Sequence, residues 1–170
     1  LDCYKKHMNH FLKKKNKIQI ATISGNIGLI HFHKGKFDES YKFFEKQYQI
    51  CKELDSKQLL QHALGNMALI DNIKGEYKSA IAKFDDILTI CEDINDTISI
   101  SNTLGNIGIA YKNIAEYDRA IEHYEMQLKI AENSQFKGHI CSANTNMGVA
   151  YYHMGNFKKS HELYQKSEKI

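Results

Sequence analysis

Apolar residues recur along the chain with the spacing of an α-helix. In residues 56–73, Ala63, Met67 and Ile70 follow one another at intervals of four and three, so they share one side of a helix. Residues 77–93 form a second amphipathic segment after a short break. The pattern therefore predicts two helices joined by a tight turn.

This pair of helices is repeated every forty residues, and five columns of equivalent positions keep the register. Three of the columns are a tetrad with asparagine at its second position, a small residue and an aromatic residue. The tetrads are residues 25–28, 65–68, 105–108 and 145–148. The small residues are Ser40, Ala80, Ala120 and Ser160, and the aromatic residues are Phe44, Phe84, Tyr124 and Tyr164. A chain with such a period stacks helix pairs, because one pair cannot bury its own apolar face.

The breaks between helices carry ordinary capping chemistry. Gly75 can supply the left-handed residue that ends the first helix of a copy. Asp55-Ser56, Asn95-Asp96 and Asn133-Ser134 fall between copies, where we expect N-caps.

Gly25, Gly65 and Gly105 lie inside predicted helices, where each glycine costs roughly 1 kcal/mol of stability relative to alanine. We expect another backbone, of a neighbouring helix or a bound peptide, to approach these glycines closely.

The residues of the third copy resemble the tetratricopeptide repeat. The matching positions are Leu104-Gly105-Asn106-Ile107-Gly108, Tyr111, Ala115-Glu116-Tyr117, Ala120 and Tyr124. The usual repeat has about 34 residues, so this is an extended variant, similar to Pins-type adaptors, kinesin light chains and bacterial signalling proteins. The resemblance implies an all-α fold, an α-solenoid of antiparallel helix pairs wound into a right-handed superhelix.

The period divides the chain into one continuous domain of successive copies. We expect residues 1–20 to be the second helix of a truncated preceding copy, with Tyr4 in the aromatic column and Phe11 equivalent to Cys51. The repeats are then residues 21–60, 61–100, 101–140 and a truncated 141–170. Because both ends lie within the array, we expect weak self-association through the array ends, with Tyr164 and Ile170 less buried than Phe84 and Tyr124.

Composition excludes several classes of protein. The 170 residues include no proline and only ten glycines, which favours helices over a loop-rich fold. The formal net charge is +3, and Arg119 is the single arginine. Proteins that read duplex nucleic acid use several arginines for bidentate hydrogen bonds to bases and phosphates, so a nucleic-acid-binding function is not expected. No apolar stretch approaches a membrane span. The expected protein is cytoplasmic, without nucleic-acid or membrane partners.

Catalytic and metal-binding patterns are also missing. His31 and His33 are two residues apart and point to different sides of a helix, unlike an i,i+4 metal pair. No nucleophile, base and orienting group fall together, and the four cysteines have no CxxC spacing, so reduced thiols are expected. We predict no enzymatic activity in this segment, no metal and no cofactor.

One asparagine recurs in every copy while other polar positions vary. These residues are Asn26, Asn66, Asn106 and Asn146. An apolar column lies beside them: Leu29, Leu69, Ile109 and Val149. The polar residues on the same side are His33, His62, Asn102, Asn113 and His153. In tetratricopeptide arrays the first helices line the concave surface, so the resemblance implies that these residues form a peptide-binding groove.

Two roles for the asparagine column stay open at the level of sequence. Its amides can bind the backbone of a peptide or helix in the groove, or they can bond to the adjoining helix and fix the repeat spacing. Only Lys112 supplies a cation where chaperone-binding members of the family carry a carboxylate clamp, so that ligand is not expected. We predict a protein-interaction module, a scaffold or adaptor; the alternative is a regulatory or oligomerisation segment of a larger multidomain signalling protein.

Overall fold

The computed structural model describes residues 16–170, which form eight α-helices and no strand within that range. The helices, in chain order, are α1 (Lys17–His33), α2 (Phe37–Glu53), α3 (Lys57–Lys74), α4 (Tyr77–Asp93), α5 (Thr97–Asn113), α6 (Tyr117–Asn133), α7 (Lys137–His153) and α8 (Phe157–Glu168). The odd-numbered helices are the first helices of the copies and the even-numbered ones are the second helices. The all-α fold of helix pairs is therefore as predicted.

The observed helix bounds differ by a few residues from the repeat bounds predicted from the sequence. Helix α1 begins at Lys17, so residues 17–20 belong to a first helix and not to the second helix of a preceding copy. The expected places of Tyr4 and Phe11 lie outside the described residues. Each later first helix begins forty residues after the one before, at Lys57, Thr97 and Lys137.

The described helices belong to two compact units, and the chain passes from the first to the second between Lys74 and Gly75. In the first unit, α1 packs on α2 and α2 packs on α3. In the second unit, each helix from α4 to α8 packs on the next, and the first helices α5 and α7 also touch each other. Consecutive packing of this kind is expected when each pair buries its apolar side on its neighbours.

Aromatic residues of the second helices form the centre of both units. In the first unit, Phe44 is fully buried with Met67 and Ile70. In the second unit, Tyr124 is fully buried in a cluster that contains Met147 and Leu163. Burial of a side chain of this size stabilises a fold by roughly 1.5–3 kcal/mol, so the aromatic column is a major source of stability.

The glycines of the first helices make room for these second-helix side chains. A Cβ on Gly28 would lie 2.6 Å from Cε1 of Phe44, and a Cβ on Gly108 would overlap the ring of Tyr124. A Cβ on Gly25 would lie 2.7 Å from the side-chain oxygen of Gln47. The expectation that another backbone approaches Gly25 is therefore wrong, because a buried side chain fills that space.

The small column lets the second helix come close to the first. Ser40 is fully buried and its hydroxyl donates a hydrogen bond of 2.8 Å to the carbonyl oxygen of Gly28. Ala80 and Ala120 are also fully buried. A larger side chain at these positions would separate the helices.

The turns within the copies end in a left-handed residue, as the sequence predicts. Gly35, Gly75 and Gly155 have φ values of 69°, 81° and 77°. The third copy has no glycine there, and Ala115 adopts φ of 61° instead. A non-glycine residue in this conformation is strained by roughly 1 kcal/mol.

The predicted N-caps between copies are only partly correct. Asp96 caps α5, because its carboxylate accepts a hydrogen bond of 3.1 Å from the backbone N–H of Ser99. Asn133 is instead the last residue of α6 and Ser134 follows as its C-cap, while α7 begins after Phe136 without a side-chain cap. Asp55 and Asn95 have positive φ values, so they turn the chain rather than cap the next helix.

Substitution of Gly108 by alanine tests the packing of glycine against the aromatic ring. We expect Gly108→Ala to lower the free energy of unfolding by about 1–3 kcal/mol, because the buried ring of Tyr124 has to move. Gly138→Ala is the matched control, since Gly138 also lies in a helix but has no heavy atom within 4 Å of its added Cβ. It should change stability by at most about 1 kcal/mol, in the stabilising direction. If urea unfolding showed an equal loss in the free energy of unfolding for Gly108→Ala and Gly138→Ala, this packing would be contradicted.

Substitution of Ala115 by glycine tests the strained turn. Ala115→Gly should raise the free energy of unfolding by up to about 1 kcal/mol, because glycine adopts positive φ without steric cost. Ala110→Gly in the buried interior of α5 should lower it by about 1 kcal/mol or more. If the turn is strained, the Tm should rise in Ala115→Gly and fall in Ala110→Gly. If the turn is not strained, the Tm should fall in both variants.

Candidate functional site

The residues singled out by the asparagine column lie on the first helices. We use the name asparagine face for the residues of this set. On the first unit it comprises Asn26, Leu29 and His33 of α1 with His62, Asn66 and Leu69 of α3. On the second unit it comprises Asn102, Asn106, Ile109 and Asn113 of α5 with Asn146, Val149 and His153 of α7. Their spacing of three or four residues places them on one side of each helix.

The recurring asparagines are buried to a similar degree in all four copies. Asn26, Asn66, Asn106 and Asn146 are half-buried, one step outside the fully buried core positions that follow them. Among residues 16–170 no side-chain hydrogen bond is found for any of the four. A half-buried amide without a hydrogen-bond partner among the described residues keeps its donors and acceptor available to a ligand or to water.

The apolar positions of the face differ between the two units. Leu29 and Leu69 of the first unit expose 40% and 37% of their surface. Ile109 and Val149 of the second unit are half-buried, and Asn102 and Asn113 are exposed beside Ile109. The first unit therefore offers larger apolar contacts, and the second unit offers more amide groups.

The exposed histidines His33 and His153 of the face contact aromatic rings. His33 meets the edge of Phe32, and His153 stacks on Tyr117 with ring centroids 5.7 Å apart and an angle of 5°. His31 lies away from the face, stacked on Phe43 at 5.4 Å. The part of the chain that the structure describes holds no group of three or more metal-ligating side chains.

The stacking of His153 on Tyr117 is a contact that the sequence pattern did not reveal. Tyr117 belongs to an aromatic column that follows the turn of every copy; the other members are Phe37, Tyr77 and Phe157. A large side chain at a fixed position after the turn was the available signal. It places an aromatic ring at the end of the asparagine face of the second unit.

Ion pairs connect the ends of the first helices to the second helices. Lys17 of α1 contacts Glu53 of α2 at 2.8 Å, and Lys74 of α3 contacts Asp38 of α2 at 2.5 Å. The hydrogen bond from Lys74 and its charge lower the pKa of the Asp38 carboxyl. These lysines lie at helix ends, so the middle of the face in the first unit carries no fixed charge.

Burial is complete at the early members of the aromatic column and partial at the last. Phe84 is 2% exposed and Tyr124 is fully buried, whereas Tyr164 is half-buried and Ile170 is 41% exposed. This difference is as predicted. A second exposed group of large side chains lies nearby on the second unit, where Tyr152 and Phe157 meet edge to face at 5.4 Å.

The comparisons with known proteins agree with this architecture. The family model for the tetratricopeptide repeat matches residues 19–93, 59–133 and 99–170. A search of curated protein sequences finds no match. No helix in the described range is long and apolar enough to cross a membrane.

Solved structures with the same fold have low sequence identity to the chain. BtubC from P. vanneervenii has a TM-score of 0.87 at 18% identity, over 98% of this chain and 69% of that protein. Aspartyl phosphate phosphatase F from Bacillus subtilis has a TM-score of 0.88 at 21% identity, over 96% of this chain and 43% of that protein. A Rap protein complexed with competence and sporulation factor has a TM-score of 0.78 at 14% identity, over 98% of this chain and 52% of that protein. The last two proteins are about twice as long as the matched region, so the likeness concerns the fold.

Labelling with a thiol reagent tests whether the core cysteines are buried and unreactive. Burial, with a contribution from Asp96, raises the pKa of Cys91 to about 11, and burial raises the pKa of Cys51. Because the thiolate is the reactive form, both should be unreactive toward a thiol reagent at pH 8 until the protein unfolds. Half-buried Cys141 should react first in a Cys3→Ser background. Rapid labelling of Cys51 or Cys91 in the folded protein would contradict the burial.

Proposed function

The chain belongs to the tetratricopeptide-repeat family, and we propose that it is a protein-interaction module that binds a partner polypeptide on its asparagine face. The observation that carries the proposal is the recurrence of a half-buried asparagine whose amide has no hydrogen bond within residues 16–170. Inside a helix, asparagine is less favourable than alanine by several tenths of a kcal/mol. Four such costs without a structural hydrogen bond favour a binding role.

The face combines the two kinds of contact that peptide sites use. Amide groups can pair with the partner's backbone, while Leu29 and Leu69 can take apolar side chains. In members of the family these first helices line the concave groove. The Rap protein of similar fold was solved in complex with competence and sporulation factor, which supports a binding role for such a fold.

A scaffold without catalysis is part of this proposal. The described helices bring together no nucleophile, base and orienting group, and the histidines contact aromatic rings. The phosphatase of similar fold is more than twice the length of the region that matches this chain. Its activity is therefore not carried over to these residues.

A regulatory or oligomerisation segment of a longer signalling protein is the second candidate. It is favoured by the exposed side chains of Tyr152, Met154 and Phe157 on the second unit, which are 56%, 44% and 63% exposed. Weak self-association would cover such surface. Sedimentation velocity over a hundredfold concentration range should then show an average mass that rises with concentration. A constant monomer mass would contradict an oligomerisation role for the isolated chain.

Removal of two asparagines tests the binding face. In capture experiments from native lysate, the double variant Asn66→Ala/Asn106→Ala should lose partners that the unmodified chain retains. Loss of two hydrogen bonds at about 0.5–1.5 kcal/mol each corresponds to an affinity decrease on the order of tenfold to a hundredfold. Asn133→Ala is the control, because Asn133 is exposed at the end of a second helix. Identical partners at equal strength for the double variant would contradict the assignment of the face.

A further inference from the structure

Aromatic and apolar side chains gather at one edge of the second unit, where the chain turns from α7 into α8. Tyr152 and Phe157 meet edge to face with ring centroids 5.4 Å apart. Tyr152 also meets the ring of His153, and His153 stacks on Tyr117 of α6. Met154 lines an open cavity of about 320 Å³ together with Tyr117. We use the name aromatic edge for Tyr117, Tyr152, Met154 and Phe157.

The repeat explains why this edge is exposed in the fourth copy. Tyr117 and Phe157 occupy equivalent positions, forty residues apart. Tyr117 is half-buried because the ring of His153 lies flat on it, whereas Phe157 is 63% exposed and is met by the edge of Tyr152. Two aromatic side chains that are more than half exposed leave roughly 200–300 Å² of surface uncovered. Patches of a few hundred Å² are often contact surfaces.

Two exposed charges of opposite sign border the aromatic edge. Asp118 lines the cavity beside Tyr117 and Met154. Lys158 follows Phe157 at the start of α8 and is the equivalent of Asp118 in the next copy. Neither charged side chain has an ion pair within residues 16–170. The edge therefore carries an acid on one helix and a base at the same position of the next second helix.

The charged residues that follow these two in sequence already have partners. Arg119 contacts Glu116 at 2.9 Å. Lys159 donates a hydrogen bond of 2.5 Å to the hydroxyl of Tyr151 and lies over its ring. These contacts hold the neighbouring charges in place, so Asp118 and Lys158 are the charges of the edge that remain available to another molecule.

We propose that the aromatic edge pairs with the same edge of a second copy of the chain, related by a two-fold axis. In such a contact one surface serves both copies, so each pair of facing residues occurs twice. Asp118 of one copy then faces Lys158 of the partner subunit, and the exposed rings pack between the two ion pairs. Opposite charges at equivalent positions suit this pairing, because like charges there would repel each other.

The expected dimer is weak and closed. Two such edges cover roughly 400–600 Å² of aromatic surface, whereas stable interfaces bury about 1,200–2,000 Å² in total. The inference rests on self-association, the second candidate function, and adds the contact surface and the stoichiometry. A two-fold contact ends at two copies, whereas a head-to-tail contact through the array ends would continue to larger assemblies.

Analytical ultracentrifugation of the whole chain over about a hundredfold concentration range tests the pairing. The average mass should rise toward that of two chains and not beyond. Asp118→Lys and Lys158→Glu should each raise the dimer Kd on the order of tenfold or more, because both ion pairs become repulsive. An equimolar mixture of the two variants should form a heterodimer with a Kd within about threefold of the unmodified dimer, since each contact again joins opposite charges.

Matched variants separate the aromatic edge from general charge effects. Phe157→Ser should weaken the dimer on the order of tenfold, because an exposed ring at the centre of the contact is removed. Glu122→Lys and Lys129→Glu make the same changes of charge at exposed positions of α6 outside the edge, and they should leave the Kd unchanged. Circular dichroism of each variant confirms that the helices are retained.

The possible outcomes distinguish this inference from the functions proposed above. A mass that grows beyond two chains and falls in Tyr164→Ser would overturn the two-fold contact and leave self-association in place. A dimer that neither charge variant weakens would overturn the pairing of Asp118 with Lys158. A constant monomer mass would overturn both this inference and the second candidate function. Asn66→Ala/Asn106→Ala should dimerise like the unmodified chain, so the asparagine face is tested independently.

Discussion

The second helices α2, α6 and α8 each place an aromatic ring against a glycine of the preceding first helix. Phe44 lies on Gly28 and Tyr124 lies on Gly108, and both rings are fully buried. This contact sets how closely the two helices pack, and the neighbouring small residues allow it. The unusual glycines inside the first helices, the forty-residue register and the core clusters all follow from that packing.

The same packing determines which residues of the first helix remain for function. One side is occupied by the second helix, and the core residues beside it are fully buried, as Ile27 and Ile107 are. The asparagine next to each of them is half-buried, with its amide outside the core. Charge is concentrated on the second helices, which leaves the asparagine face with hydrogen-bonding and apolar groups. The binding role proposed for this face therefore rests on hydrogen bonds and apolar contacts rather than on charge.

The sequence predicted the helix pairs, their period and the buried columns, because each depends on patterns repeated in four copies. It did not predict that Gly25 accommodates the side chain of Gln47, since the contact joins residues on different helices and only the glycine is conspicuous. The N-cap at Asn133 was wrong because α6 continues through that residue. Caps depend on the local backbone path, which polar residues near a turn do not specify uniquely. The stacking of His153 on Tyr117 was missed because it depends on how helices α6 and α7 pack on each other.

Side-chain amide NMR tests the central claim most directly, that the asparagine column is a ligand-binding surface. The NH₂ resonances of Asn106 and Asn146 should shift on titration with a peptide selected by the protein, while the NH₂ resonances of exposed Asn133 on the second helix stay in place. Shifts confined to residues of the second helices, with Asn106 and Asn146 unchanged at saturation, would contradict the account.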